Sequence, residues 1–223
     1  MIDHKKKLLF IHVPKNAGTS IERVVFDSYD FSKGWSREYL YGFDQELGFN
    51  LQHATLKQLL DHELISKEVL ETYDSFAVVR NPFTRAISGY TWLMKDLRIE
   101  GSLRDFLTRE GAFSEEALKQ APHFVNDHFY TQSEFVTMNG EIAVDKLLKF
   151  EDLAADFRRF ANKVSPKLKL TSHFKKNRRK KRDLAKLITS ENEQLIREIY
   201  RDDFINFNYR DRFSKWKYFL GYA

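Results

Sequence analysis

In the run Leu8–Glu22, LLFIHVPKNAGTSIE, a lysine (Lys15), a glycine (Gly18) and two hydroxyls (Thr19, Ser20) crowd into one short loop. Those residue types at that spacing suit an oxyanion. Lys15 brings a full positive charge, Asn16, Thr19 and Ser20 bring polar groups, and Gly18 permits close backbone approach or a positive φ. A helix opening at this point leaves its first N–H groups without partners inside it, and its dipole adds partial positive charge. The loop is not a Walker A box, which needs G-x-x-x-x-G-K-[ST] with the lysine beside the hydroxyl that holds magnesium. Here Lys15 comes early and Gly18 leads straight into Thr19-Ser20. The expected chemistry is phosphate binding without a metal. An ordinary strand–turn–helix junction with a solvated lysine is the plainer alternative for this loop taken alone.

A second set of anion-binding residue types lies in Val79–Tyr90, VRNPFTRAISGY. Arg80 leaves a strand end and Ser88 stands two turns into the following helix, so both can face one anion. An arginine fork chelates phosphate and a hydroxyl completes the shell. A lone arginine in this position would more commonly pair with a local carboxylate. The chain has seven histidines: His4, His12, His53, His62, His123, His128 and His173. His12 falls inside an apolar strand and is expected to be packed, whereas His4 and His62 have no supporting context. No H-x-x-x-H or D-x-D spacing links the histidines and carboxylates, so no metal is expected.

The elements that must position these residues follow from the pattern. Leu8–Val13 reads as a strand and Thr19 to about Ser28 as a helix, with Ile21, Val24 and Val25 on one face. Asp30 to Leu51 is aromatic and Gly-rich without a clear period, an irregular insert on the substrate side. Thr55 is the N-cap of a helix TLKQLLDHEL. Ser75–Val79 is a short apolar run, a buried parallel strand. Asn81-Pro82 breaks it, with Pro82 at the first position of a helix that runs through Phe83 to about Leu97. Ser102 caps SLRDFLTRE, and Phe124–Thr137 is mixed and aromatic. Asp145–Phe150 is a third strand, followed by a helix to about Asn162, and a last helix covers about Ser190 to Phe204. Strands alternating with helices predict an α/β fold with a central parallel sheet, in which ligands sit at the carboxyl ends of strands. Both loops singled out above lie at such ends.

With 223 residues the chain is expected to form one domain over 1–223. The hydrophobic share of 42% and charged share of 31% fit a globular chain. No apolar run reaches the length of a membrane span, and the six-residue run near the start lacks a cleavage site, so no secretory signal is expected. The chain has no cysteine, which excludes disulfides and suits a reducing cytoplasm. The formal charge of +5 is uneven: Lys163 to Lys186 holds 11 Lys/Arg against one acid, Asp183, leaving 26 basic and 31 acidic residues elsewhere. One basic segment therefore makes a slightly acidic chain basic, as suits a polyanion or a phosphorylated ligand.

Taken together, HVPKNAGTS and VRNPFTRAISGY resemble, in the same order, the two phosphate loops of the sulfotransferases that use 3′-phosphoadenosine 5′-phosphosulfate (PAPS). Val144–Leu153 (VDKLLKFEDL) and Ile199–Tyr209 (IYRDDFINFNY) are similar to the Golgi-type carbohydrate branch and its bacterial relatives. The resemblance runs from residue 8 to about 210. It implies a P-loop-NTPase-like sulfotransferase fold. It also implies that Lys15, Asn16, Gly18, Thr19 and Ser20 hold the 5′-phosphosulfate, and that Arg80 and Ser88 hold the 3′-phosphate. The product would be 3′-phosphoadenosine 5′-phosphate. Lys15 would stabilise the leaving phosphate. For the base that takes the acceptor proton, the resemblance offers His53, in Asn50-Leu51-Gln52-His53-Ala54-Thr55, with Glu22 as rival. A neutral imidazole near pH 7 suits that task. His128, in His128-Phe129-Tyr130-Thr131-Gln132-Ser133, is similar to a segment lining the acceptor cleft and is a substrate-binding candidate. The basic loop Ser172–Arg179 matches a late loop that covers the nucleotide.

The expected partner is a hydroxyl acceptor of carbohydrate type, with no nucleic acid and no transmembrane segment. Trp35, Tyr39, Tyr41 and Phe43 could stack on sugar rings, and could equally belong to the core or to a partner surface. Two other classes compete. A P-loop kinase using ATP–Mg would need the missing G-K-[ST]. A polyanion-binding module would use residues 175–182, but no helix-turn-helix, zinc-finger or RNA-binding signature accompanies them.

Overall fold

The computed structural model describes residues 1–119, 126–164 and 184–215. The basic loop 172–182, together with His123 and His173, lies outside the described residues. The chain divides into two compact units. One comprises Met1–Val79 with Gln132–Ser172, and the other comprises Arg80–Thr131 with His173–Ala223.

The first unit is built on a four-stranded sheet in the order β1 (Ile2–Asp3), β2 (Leu8–Ile11), β5 (Asp74–Val79), β8 (Lys146–Lys149). Strands β2, β5 and β8 run parallel, with Phe10 opposite Phe76 and Val78 opposite Leu148. This is the α/β sheet expected from the alternating elements. The near-continuous apolar runs of β2 and β5 are explained by burial on both faces. Strand β1 pairs antiparallel to β2 and was not anticipated, because two residues carry no period. Helix α1 (Gly18–Val25) follows β2 and buries Ile21 and Val25 on the sheet. Helix α8 (Leu153–Val164) follows β8 and brings Phe157 and Phe160 to the same core. Phe76 is fully buried at its centre, with ring centroids 4.8 Å from Phe10 and 4.3 Å from Phe160. Next to Phe76, Ser75 N–H and Oγ both donate to Asp145 Oδ2, at 2.8 and 2.6 Å, and Asp145 N–H donates back to Ser75 Oγ. That reciprocal pair helps fix the β5–β8 register.

The insert between α1 and α2 (Leu56–Asp61) is more regular than its composition suggests. It holds an antiparallel ribbon of β3 (Phe43–Asp44) and β4 (Phe49–Asn50), and Ser36 and Tyr41 exchange main-chain hydrogen bonds. Arg37 clips it shut, giving Nε–H and Nη2–H to the two oxygens of buried Asp44 at 2.6 and 3.0 Å. The amides of Glu46 and Leu47 also donate to Asp44 Oδ1. Helix α2 starts where Thr55 predicts, with a reciprocal capping box to Gln58, and is followed by α3 (Lys67–Thr72). After α7 (Gln132–Val136), β6 (Thr137–Met138) and β7 (Glu141–Ile142) form a hairpin. It turns on Asn139-Gly140, both at positive φ, as a tight two-residue turn requires.

The second unit is helical around α4 (Pro82–Leu97), which Asn81 caps and Pro82 opens as expected. Phe83, Ile87, Tyr90 and Leu93 line one stripe of α4. They pack with Phe106 of α5 (Leu103–Thr108), with Phe113, and with Leu118 of α6 (Glu115–Leu118). The last predicted helix is interrupted at Tyr200 into α9 (Ser190–Ile199) and α10 (Arg201–Asn206), and both bury residues in this core.

Two measurements check these contacts. Phe76→Ala should cost about 3–5 kcal/mol in chemical denaturation, the range for truncating a buried ring. The Arg37 hydrogen bonds, helped by the loop amides, pull the Asp44 carboxyl down to about 2 against its burial. A depressed folded value stabilises the native state fully above the ordinary carboxyl range near pH 4 and loses that contribution as pH falls toward 2. Asp44→Asn should flatten the stability–pH curve over that window.

Candidate functional site

The loop after β2 is held in an uncommon conformation. Lys15 (φ 71°) and Ala17 (φ 67°) both occupy the left-handed region without being glycine. Such backbone persists only where surrounding contacts over-determine it. Asn16, between them, supplies those contacts. Its side chain is buried, and its Nδ2 donates to the carbonyl of Val78 on β5 at 2.8 Å and to Gln132 Oε1 on α7 at 2.7 Å. The side chain proposed for ligand contact is thus spent as a clamp, and its Oδ1 is buried with no hydrogen-bond partner. Ala17 caps α1, and its carbonyl accepts from the amides of Ser20 and Ile21. The amides of Gly18 and Thr19 open the helix and have no partner within it. Thr19 is exposed, and Lys15 and Ser20 are half-buried. A lysine, a helix start and two hydroxyls, in this order, are the groups that suit an anion cradle.

Beneath the cradle lies a polar trio, buried His12 and Glu22 with half-buried His53. The strand ends at Ile11, two residues earlier than the expected Val13, so His12 is the first residue beyond it. Its ring stacks on Phe10 and rests against Gly18 so closely that a Cβ at position 18 would lie 1.7 Å from Nε2. His12 Nδ1 and Glu22 Oε1 are 2.6 Å apart, and both side chains are more than nine-tenths buried. Burial pushes the Glu22 carboxyl up, but the charge of His12, the His12 hydrogen bond, His53 and the Met1 amine outweigh it and hold the group below its usual range. Glu22 is therefore ionised and accepts from His12 Nδ1–H.

His53 ends a 3₁₀ turn, Leu51–His53, just before the α2 cap. Its ring lies 4.3 Å from that of His12, and its Nδ1 is 3.1 Å from the His12 main-chain carbonyl. A carbonyl can only accept, so Nδ1 carries the hydrogen and, in the neutral ring, Nε2 carries the lone pair. The side chain is half-buried.

In the other unit, Arg80 gives Nε–H to Thr84 Oγ1 at 2.9 Å, and Thr84 in turn donates to the carbonyl of Asn81. This chain orients the guanidinium at the start of α4. Ser88 is half-buried on α4. His128 stacks flat on Trp92, with centroids 4.3 Å apart, and its Nδ1 is 2.7 Å from Asp127 Oδ1. Lys15, Asn16, Gly18, Thr19, Ser20, Glu22 and His53 thus belong to the first unit, and Arg80, Ser88 and His128 to the second. Among the described residues, no group of three or more His, Asp or Glu side chains is arranged to hold a metal ion.

Sequence reasoning treated His12 as packing and missed its place at the centre of the trio. A signal existed: Gly18 and Glu22 are four apart and share a helix face, so a ring lying on one meets the other. The roles of Gln132 as partner of Asn16, and of Asp127 as partner of His128, had no such local signal. Gly18→Ala should drive the His12 ring off its seat and destabilise the protein by about 1–3 kcal/mol, as overpacking does. Chemical denaturation reads the loss.

Across the chain, a family model described as "Sulfotransferase family" matches residues 1–210. No curated protein and no solved structure matches the chain. The family match takes in both the cradle after β2 and the Arg80 segment, and the chain belongs to the sulfotransferase family, transferases that move a sulfuryl group to an acceptor.

Proposed function

We propose that this chain transfers a sulfuryl group from PAPS to a hydroxyl of a carbohydrate, with His53 as the base. PAPS, as co-substrate, would supply the sulfuryl group and a phosphate leaving group. The cradle fits such a phosphosulfate: a lysine, two hydroxyls and the first amides of a helix stand together. In this reading Lys15, Thr19 and Ser20 bind the 5′ end, with the amides of the Asn16–Thr19 stretch. Arg80 and Ser88 bind the 3′-phosphate. Both units then form one sulfotransferase domain, and the cysteine-free composition supports a cytoplasmic setting.

The observation that carries the reading is the hydrogen bond from His53 Nδ1 to the His12 carbonyl. It leaves Nε2 as the nitrogen that accepts a proton. The acceptor oxygen forms the new S–O bond and loses its proton to His53 Nε2. The bond from sulfur to the bridging oxygen breaks, and its electron pair stays on the phosphate. Lys15 neutralises the charge that develops there. Positioning and electrostatics then supply most of the rate, as in phosphoryl transfer. Support for a sugar comes from Trp35 and Phe43, exposed at 49% and 43%. Their loop is tied to the turn bearing His53 by Gly42, whose carbonyl accepts from Leu51 N–H and whose N–H donates to Gln52 Oε1.

The test is thermal unfolding with 3′-phosphoadenosine 5′-phosphate, compared with ATP–Mg and AMP. At 100 times its Kd a ligand stabilises by about 2.7 kcal/mol. The 3′-phosphorylated nucleotide alone should raise the midpoint, and Arg80→Ala should abolish the rise. A rise with ATP–Mg instead would point to a kinase. For catalysis, His53→Ala should lower kcat by about 10²–10⁴ while leaving nucleotide stabilisation intact. An unchanged kcat would remove His53 as base.

A further inference from the structure

We propose that Glu22 is a positioning residue: acting through His12, its carboxylate holds His53 in the Nδ1–H form that leaves Nε2 to accept a proton. The inference rests on His53 being the base. It concerns Glu22, the buried carboxylate of the trio, which the transfer step itself does not use.

The geometry is a three-link chain. Glu22 Oε1 accepts from His12 Nδ1–H at 2.6 Å. That bond, the Gly18 backbone and the Phe10 ring fix the His12 imidazole on three sides. The fixed ring is the wall 4.3 Å from the His53 ring, tilted by 57°, and the carbonyl of the same residue takes the His53 Nδ1 hydrogen. His12 thus touches His53 twice, once through its ring and once through its backbone. The Glu22 carboxylate bonds to His12, and it reaches His53 only through charge. Its carboxylate is 5% exposed, which is costly to maintain for an ion without a task. A free neutral imidazole favours the Nε2–H tautomer, which would point a donor instead of a lone pair at an acceptor hydroxyl. Reversing that preference requires a firm acceptor at Nδ1, and the His12 carbonyl is firm only while its residue is held. The other ionisable groups facing Glu22 are the Met1 amine, just before β1, and Tyr41 from the insert, with Arg23 acting on Tyr41.

The experiment is nitrogen-15 NMR of the histidine rings at pH 8.5 in the ligand-free protein, where a neutral ring reports its tautomer directly. In the natural chain His53 should be predominantly Nδ1–H. Glu22→Gln keeps an oxygen that can accept from His12 Nδ1–H, and it should retain that tautomer. Glu22→Met fills the same volume without an acceptor, and it should shift His53 toward Nε2–H, with at least half the population converted. Gly18→Ala displaces the same His12 ring from its other side and should give the same shift. Tautomer populations in Glu22→Met equal to those of the natural chain would overturn the proposal, because a space-filling role predicts that result. If Glu22→Met does not fold, an unshifted tautomer in Gly18→Ala overturns it equally. Stabilisation by 3′-phosphoadenosine 5′-phosphate, measured on the same samples, separates the two readings. Its absence from the natural chain would remove the PAPS assignment and leave the tautomer result standing.

Discussion

A turn in which Lys15 and Ala17 both adopt left-handed backbone has to be held from outside, and the first unit is organised around holding it. Left to itself the segment would relax, since a side chain in that region costs of order 1–3 kcal/mol. Asn16 ties the turn to β5 and α7 through both amide hydrogens, and His12 wedges beneath Gly18 against Glu22. The result is a turn and a helix start held by the protein's own side chains. Preorganisation of that kind is where electrostatic catalysis draws its advantage, because the dipoles need not reorganise as charge develops.

The polar trio shows how two demands meet on few residues. Burying a carboxylate is rarely stabilising in net terms, because desolvation offsets most of what its partner contributes. The carboxylate in this protein sits directly under the cradle, where it fixes a ring that in turn fixes the candidate base. Glycine at position 18 serves both sides of this arrangement. Its missing side chain makes room for the His12 ring below, and it opens the helix whose amides face the cradle.

What was legible in the sequence is what local chemistry dictates. The strand–loop–helix of the cradle, Pro82 behind Asn81, and the capping boxes at Thr55 and Ser102 announce themselves within a few residues, and the structure has each of them. The parallel order of β2, β5 and β8 followed from strands alternating with helices. What was not legible depends on residues far apart in the chain. Asn16 meets Gln132 across 116 positions, and Ser75 meets Asp145 across 70. The insert looked irregular because its order comes from one bidentate ion pair, Arg37 with Asp44, and not from a repeating pattern. The break at Tyr200 is likewise invisible, since apolar residues keep a helical period through it.

The central sheet terminates on two very short strands. At one border β1 contributes two residues, and at the other β8 contributes four, bracketed by Lys146 and Lys149. Unpaired strand borders are templates for intermolecular pairing, and natural chains protect them by shortness and by lysine. A border two residues long offers too little ladder for another chain to extend, and the lysines flanking the second make an incoming strand desolvate cations. Among the described residues, both borders of this sheet are thus poor templates on which a second copy could add a strand.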